Sequence, residues 1–168
     1  GLDIGTSKVV AVVAEVTADN SIEITGLGIH PSKGLRNCFV VDIDSTTSAI
    51  KKSISEAESM AGCHISSCYV GISGSHIQGL NSEGVVPIRD GDLKYSDVDR
   101  VIETAQAMAI PADQRLLHVL PRDYIIDKQD GIKEPLGMAG SRLEAKVHLV
   151  TCSNNASQNI HKCVRACG

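Results

Sequence analysis

The stretch GLDIGTSKVV (residues 1–10) decides the first part of the fold, because it sets a polar turn between two apolar strands. A turn that only joins two strands needs a glycine or an asparagine and little else. The candidate binding residues of this turn are Asp3, Gly5, Thr6, Ser7 and Lys8. The turn therefore carries more chemistry than a simple connection requires.

These residue types suit the binding of a phosphate group. Gly5 leaves room for a phosphate to approach backbone N–H groups, and Thr6 and Ser7 add hydroxyl donors. Lys8 supplies a positive charge, and Asp3 could hold a hydrated Mg²⁺ that neutralises a β- or γ-phosphate. The alternative is a plain hairpin with a solvated Lys8, because D-x-G-[ST] is a short pattern. The P-loop and the dinucleotide-binding fingerprint are both absent from the sequence.

The pattern of the first 74 residues predicts a β-β-β-α-β unit with a mixed sheet. Residues 8–17 are apolar almost throughout, which indicates a strand buried on both faces, and residues 22–29 alternate as a third strand. A helix with Asp44 or Ser45 as its N-cap is expected to end at Gly62. Its apolar set is Ile43, Ile50, Ile54, Ala57 and Ala61. A strand is then predicted at 66–74.

A second, smaller unit follows with the order strand-helix-strand-strand. Its strands are predicted at 84–88, 115–127 and 141–151, and residues 128–140 are expected to form a loop. The helix is predicted to begin with a Ser96 cap. Its apolar positions are Val98, Val101, Ile102, Ala105 and Ala109. The last strand alternates cleanly, with Leu143, Ala145, Val147 and Leu149 on one face, and a final helix is predicted at 154–167.

Composition excludes several classes of function. A chain of 168 residues with a net charge of −4 has no general attraction to nucleic acid or anionic lipid. Tryptophan is absent, which argues against aromatic stacking platforms for single-stranded nucleic acid. No apolar run approaches the roughly 20 residues that span a bilayer, so we expect a soluble protein. The start at Gly1 without a methionine and the end at Gly168 lead us to expect part of a longer chain.

The six cysteines are expected to be reduced thiols of a cytoplasmic protein, because the chain has an ample aliphatic core and no export signal. No C-x-x-C pair gives zinc-ligand spacing. His118 and His148 fall on strands but are interpreted as solvated or packed histidines rather than a catalytic pair. Asp127 and Asp130 lack the spacing of a calcium loop, which favours a hairpin turn.

The quoted segments together resemble one family. GLDIGTSKVVAVVAEV, GLGIHPSKGLRNCFVVDID, YVGISGSHI and the run from LHVLP to HLVTC are similar to the N-terminal half of the FtsA family of bacterial cell-division proteins. The resemblance runs from Gly1 to Gly168, and His118–Thr151 is its most specific part. The family belongs to the actin-like ATPase superfamily, in which a phosphate hairpin joins the first two strands.

The resemblance implies an α/β fold with two parts. Residues 1–74 and 150–168 would form the actin-like, ribonuclease H-like subdomain 1A, and residues 75–149 the inserted strand-helix-strand-strand (SHS2) subdomain 1C, used for protein interaction. ATP with Mg²⁺ would bind the full-length protein through Asp3, Gly5, Thr6, Ser7 and Lys8. Because a nucleotide in this fold takes contacts from two lobes, we expect no bound cofactor, no catalytic residue and no turnover in this chain alone. The full-length protein would be at most a weak ATPase.

The resemblance also implies partners and a location. Family members link the tubulin-like protein FtsZ to the membrane, polymerise and recruit later division proteins such as FtsN through subdomain 1C. The FtsZ-binding subdomain and the membrane-seeking helix would lie outside these residues. The expected location is the bacterial cytoplasm, at the inner face of the membrane at the division septum.

Pro87 points to a partner surface within the smaller unit. Proline cannot donate a ladder hydrogen bond, so the strand 84–88 is predicted at a sheet edge, with Val85 near its rim. Arg142 opens the last strand and suits bidentate capture of a carboxylate on another chain. Two alternatives remain open: a pilus-assembly actin-like protein, and a sugar- or acetate-kinase-like phosphotransferase, which would need a general base for the attacking hydroxyl.

Overall fold

The computed structural model describes residues 1–89, 91–107 and 110–168. They form two compact units, one of Gly1–His76 with Asn154–Gly168 and one of Ile77–Ser153. The first unit contains β1 (Leu2–Ile4), β2 (Lys8–Val16), β3 (Ile22–Pro31), β4 (Leu35–Arg36), β5 (Phe39–Val40), α1 (Ile43–Ala61) and β6 (Val70–Gly71). The second contains β7 (Gln78–Pro87), α2 (Tyr95–Gln106), β8 (Gln114–Ile126), β9 (Gln129–Ile132) and β10 (Arg142–Ser153). Helix α3 (Asn154–Arg165) returns to the first unit.

The main sheet of the first unit has the strand order β3-β2-β1-β6. Strand β1 pairs antiparallel with β2 and parallel with β6, so the sheet is mixed as predicted. The strand predicted at 66–74 is reduced to Val70–Gly71. Strands β4 and β5 form a separate small hairpin that the sequence patterns did not indicate, since two-residue strands carry no readable alternation.

Helix α1 packs on β3 so closely that glycines are required beneath it. A Cβ atom at Gly28 would collide with the carbonyl oxygen of Ser53, and one at Gly26 with that of Ala57. The helix begins at Ile43 with Asp42 as its N-cap, so the expected cap at Asp44 or Ser45 is wrong. The Asp42 carboxylate instead accepts hydrogen bonds from the Ser45 N–H at 3.0 Å and the Ser45 hydroxyl at 2.6 Å. The predicted end is confirmed, because Gly62 is the left-handed C-cap with φ +64°.

Strand β2 is not buried on both faces within the described residues, which corrects the expectation from its apolar run. Val9 and Ala11 are buried beneath α1, but the neighbouring strand residues that point the other way are half-buried or exposed. This outer face continues onto β3 through register pairs such as Val12 with Leu27. Its exposed aliphatic side chains are Val16, Ile22, Ile24, Leu27 and Ile29.

The second unit is a four-stranded antiparallel sheet, in the order β7-β10-β8-β9, with α2 on one face. The alternation predicted for β10 is confirmed: its core-facing residues Leu143, Ala145, Val147 and Leu149 are buried. The expected loop at 128–140 is partly wrong, because it contains β9. A two-residue turn at Asp127 and Lys128, both with positive φ, folds β9 back onto β8.

Helix α2 begins two residues earlier than predicted. Its N-cap is Lys94, not Ser96, and the Asp97 carboxylate accepts the Lys94 N–H at 3.1 Å. Val101 and Ala105 are buried against the sheet as expected, while Ala109 lies outside the described residues. The unit thus has the predicted strand-helix-strand-strand order with one additional short strand.

Candidate functional site

The turn between β1 and β2 projects from a well-buried base. Leu2 and Ile4 of β1 are buried and pair in register with Ala11 and Val9 of β2. The turn is closed by a hydrogen bond of 3.0 Å from the Gly5 N–H to the Lys8 carbonyl. The apolar pairs therefore fix the polar turn at the end of the hairpin.

Gly5 is required for space rather than for an unusual backbone conformation. A Cβ atom at this position would lie 3.0 Å from the Lys8 carbonyl oxygen, tighter than almost all real contacts of that type. Its φ is not in the left-handed region. A side chain here would push against the turn and cover its N–H groups.

The charged residues of the turn are free to meet a ligand. Asp3, Ser7 and Lys8 are exposed, and within residues 1–89, 91–107 and 110–168 neither Asp3 nor Lys8 forms an ion pair. The Asp3 carboxylate lies beside Gly71 of β6, where a Cβ atom would be 3.6 Å from its Oδ1. A single exposed carboxylate suits a hydrated Mg²⁺ held through its water shell better than a directly bound ion.

Thr6 has a partner that the sequence patterns did not reveal. Its hydroxyl oxygen accepts a hydrogen bond of 3.0 Å from the Cys38 N–H, and it lies 3.6 Å from the Cys38 sulfur. The hydroxyl of Ser73 lies 3.7 Å from the same sulfur. The glycines of GISGS (71–75) indicate a loop in the sequence, but they do not indicate that this loop contacts Cys38.

The three residues predicted for a partner surface lie together at one corner of the second sheet. Val85 pairs with Glu144, and Pro87 pairs with Arg142, on the face opposite α2. Strand β7 is an edge strand, as Pro87 predicts. Val85 is 42% exposed, and the exposed Pro87 follows it on the same face.

Two contacts modify the chemistry expected at this corner. The Arg142 guanidinium already pairs with Glu144, with 3.1 Å between Nη2 and Oε1, so a partner carboxylate would have to compete for it. The Pro87 carbonyl accepts a hydrogen bond of 2.6 Å from Arg100 of α2. Strand addition would therefore use β7 residues before Pro87.

The carboxylate of Asp127 organises the backbone beside Arg142. It accepts the N–H groups of Ser141 at 2.8 Å and Arg142 at 3.0 Å. Asp127 is thus part of a hairpin turn, as predicted, and it also anchors the start of β10. This anchoring role was missed, since the contact joins residues 14 or 15 positions apart.

The histidines and cysteines considered as candidate site residues show no sign of a catalytic or metal-binding role among the described residues. His148 hydrogen-bonds the Asn81 side chain at 2.8 Å, and His118 lies opposite Val150 on the neighbouring strand. All six cysteines are free thiols, and burial raises the pKa of Cys163 and Cys167 above the usual value. In the part of the chain that the structure describes, no three His, Cys, Asp or Glu side chains gather as metal ligands.

Comparison with known proteins identifies the family. Residues 74–151 match the family described as "SHS2 domain inserted in FTSA". The cell division protein FtsA of Pseudomonas aeruginosa is 62% identical over 168 residues, which is 100% of this chain and 40% of that protein. The chain belongs to the FtsA family. FtsA of Neisseria meningitidis is 50% identical over 167 residues and that of Escherichia coli K12 45% over 168, each aligned over 40% of its length.

A solved structure supports the fold. A chain of the PilM–PilN type IV pilus biogenesis complex superposes with a TM-score of 0.60 and 17% identity, covering 100% of this chain and 44% of that one. At this identity the likeness concerns the fold alone, which is the predicted α/β, actin-like fold with an SHS2 subdomain. The pilus and kinase alternatives are less supported than FtsA. Of the helices described, none combines the length and apolar character needed to cross a membrane.

Proposed function

We propose that this chain is the part of an FtsA-type cell-division protein that supplies one wall of an ATP site and a protein-binding subdomain. The observation that carries the proposal is whole-length similarity, at 62% identity, to a protein named for cell division. The chain spans about 40% of the length of these relatives, so its activity in the whole protein depends on residues outside it.

In the proposed ATP site, the polar turn meets the phosphates. The Gly5 backbone admits a phosphate oxygen, Thr6 and Ser7 donate hydroxyl hydrogen bonds, and Lys8 adds a positive charge. Asp3 holds Mg²⁺ through water, which neutralises the charge of the triphosphate. The exposure of Asp3, Ser7 and Lys8 supports this assignment. The turn contributes binding and charge, and no residue of this chain is assigned the role of a general base.

The inserted subdomain is proposed to bind protein partners. Its edge strand β7 has an unpaired side within the described residues, and Val85 exposes an aliphatic side chain on it. Residues 75–149 would serve self-association into filaments and contact with later division proteins such as FtsN. FtsZ and the membrane would be reached through other parts of the protein, at the cytoplasmic face of the division septum.

A chimeric protein tests the proposal directly. This chain would replace the 168 matching residues of Pseudomonas aeruginosa FtsA, in cells depleted of their own copy. We expect the chimera to restore division, scored by cell length, because the units are similar throughout. A chimera carrying Asp3→Ala is expected to fail or to divide poorly. Stable expression of the unmodified chimera in cells that remain filamentous would contradict the proposed function.

A further inference from the structure

The tip of the β4–β5 hairpin has an unusual backbone for its sequence. Asn37 has φ 50° and Cys38 has φ 66°, so both residues of the two-residue turn are left-handed. This turn type commonly places glycine at its second position, because a Cβ atom makes the conformation unfavourable. Cys38 has a Cβ atom, and a strained residue persists only where its surroundings hold it.

The contacts that hold Cys38 lead to the phosphate turn. Its backbone N–H donates to the Thr6 hydroxyl oxygen at 3.0 Å. Its sulfur lies 3.6 Å from that oxygen and 3.7 Å from the Ser73 hydroxyl. Gly74, with φ +132°, passes so close that a Cβ atom there would lie 3.0 Å from the Cys38 Cβ. Three segments distant in sequence therefore meet at this residue.

The hydrogen bond to Cys38 determines what Thr6 can do. A hydroxyl has one proton to donate, and here the oxygen already accepts the Cys38 N–H. The proton is left for another acceptor, and the nearby thiol sulfur is a weak one. A phosphate oxygen is negatively charged and accepts far more strongly. Cys38 thus leaves the Thr6 hydroxyl ready to donate to a phosphate.

We propose that Cys38, at the tip of the β4–β5 hairpin, is a positioning residue that orients the Thr6 hydroxyl toward the phosphates of a bound nucleotide. This inference rests on the proposed ATP site and adds a residue 32 positions from Thr6 that acts through its backbone N–H. The side chain at position 38 matters only in so far as it permits the left-handed turn.

The test is ATP affinity of the full-length protein, measured by calorimetry with Mg-ATP. Thr6→Val is expected to lose about tenfold in affinity, because a hydrogen bond to a charged phosphate is lost, whereas Thr6→Ser should rescue most of it. Cys38→Val should lose several-fold, because a β-branched residue cannot hold the left-handed turn. Cys38→Gly, which keeps both the amide and the turn, should bind within about twofold of wild type.

A double mutant separates positioning from general damage. If Cys38 acts through Thr6, the Thr6→Val/Cys38→Val protein should bind no more weakly than Thr6→Val alone. Asn20→Val is the matched control: Asn20 is also left-handed, with φ 65°, but lies in the turn at the opposite end of β2. It should leave ATP affinity unchanged. Amide hydrogen exchange at Cys38 should be faster in Thr6→Val than in wild type and unchanged in Thr6→Ser. This measurement requires no substitution at position 38.

Three results would overturn the inference: additive losses in the double mutant, equal losses for Cys38→Gly and Cys38→Val, or an amide exchange rate at Cys38 indifferent to Thr6→Val. If Asp3→Ala weakens ATP binding while Thr6→Val and Cys38→Val do not, the inference fails and the proposed ATP site stands. If wild-type full-length protein binds no ATP, both fail.

Discussion

Asp3 and Gly5 are expected to affect nucleotide binding by different physical routes. Asp3 is an exposed carboxylate in the middle of the short strand β1, and its neighbours Leu2 and Ile4 are buried. Gly5 has no side chain to obstruct the turn, and the Lys8 carbonyl oxygen leaves little room for one. One residue therefore contributes charge and the other contributes access.

In the full-length protein, Asp3→Ala should weaken Mg-ATP binding about tenfold, because Mg²⁺ loses a charged acceptor for its water shell. Gly5→Val should weaken binding whether or not Mg²⁺ is present, because its side chain blocks the phosphate. Calorimetry with and without Mg²⁺ distinguishes the two. Glu15→Ala, at an exposed carboxylate on β2 away from the turn, is the control. Unchanged affinity in both variants would return the turn to the plain-hairpin interpretation.

For single residues, the sequence allowed the polar turn to be predicted but not the contact between Thr6 and Cys38. The D-x-G-[ST] pattern is local, so Asp3 through Lys8 could be assigned to one turn from their order alone. The Cys38 contact with Thr6 crosses 32 residues and uses a backbone N–H, which no side-chain pattern records. Contacts of this kind depend on where two separate hairpins meet.

Among the elements, α1 shows how a cap connects stability with pH. Its first turn is held by the Asp42 carboxylate, and the hydrogen bond from the Ser45 hydroxyl is the main reason that the pKa of Asp42 is lowered. A carboxyl group with a lowered pKa stabilises the fold above its unfolded pKa of about 4. That contribution is lost as the pH falls through the folded value.

Asp42→Ala should therefore lower the urea midpoint at pH 7, and its difference from wild type should shrink as the pH falls toward 3. Asp42→Asn keeps a capping oxygen and should show a smaller loss at pH 7. Asp44→Ala, in the first turn of the same helix, is the control. A difference between Asp42→Ala and wild type that stays constant from pH 7 to pH 3 would rule out the carboxylate as the stabilising group.

The second prediction for the elements concerns the corner where the edge strand β7 pairs with the start of β10. Val85→Lys and Arg142→Glu should weaken self-association or division-partner binding of the full-length protein. Each should change the free energy of unfolding by only about 0.5 kcal/mol, as exposed substitutions usually do. Arg122→Glu, a charge reversal at an exposed position on β8, is the matched control.

Co-sedimentation and thermal melting decide the outcome. Loss of several kcal/mol in either variant would mean that the side chain is needed for packing. Unchanged assembly with intact stability would remove this corner as a contact site.

Longer elements could be predicted from sequence and shorter ones could not. The alternation of β10 gave its buried face correctly, because 12 residues provide enough periods. Strands β4, β5 and β9 have two to four residues, too few for a period to appear. The start of α1 was placed late because several polar residues in a row could serve as the cap, and only the geometry of Asp42 selects one.

For the molecule as a whole, the main prediction concerns ATP binding by this chain alone. A nucleotide held by a single turn gains few contacts, and association costs at least about 4 kcal/mol in lost freedom. Calorimetry of the 168-residue chain with Mg-ATP should therefore give little or no heat of binding, whereas the full-length protein should bind. Micromolar binding by the chain alone would show that a second set of contacts already lies within it.

The change in pattern after Gly74 predicted a second unit from residue 75, and the compact second unit of the structure begins at Ile77. The apolar run of β2 was informative in another way, because it predicted burial on both faces and the described residues bury only one. An apolar run shows that a strand is suited to burial on both faces. It does not show whether another element covers each face.

The outer face of β2 and β3 has a practical consequence. Val16, Ile22 and Ile24 are 70%, 74% and 65% exposed, and they continue a row of aliphatic side chains along the sheet. The free energy falls when another apolar surface displaces the water in contact with such a row. Handled on its own, the chain should therefore be held strongly by phenyl resins, bind hydrophobic fluorescent dyes and salt out early. A change of Ile24 to lysine should make it easier to keep in solution.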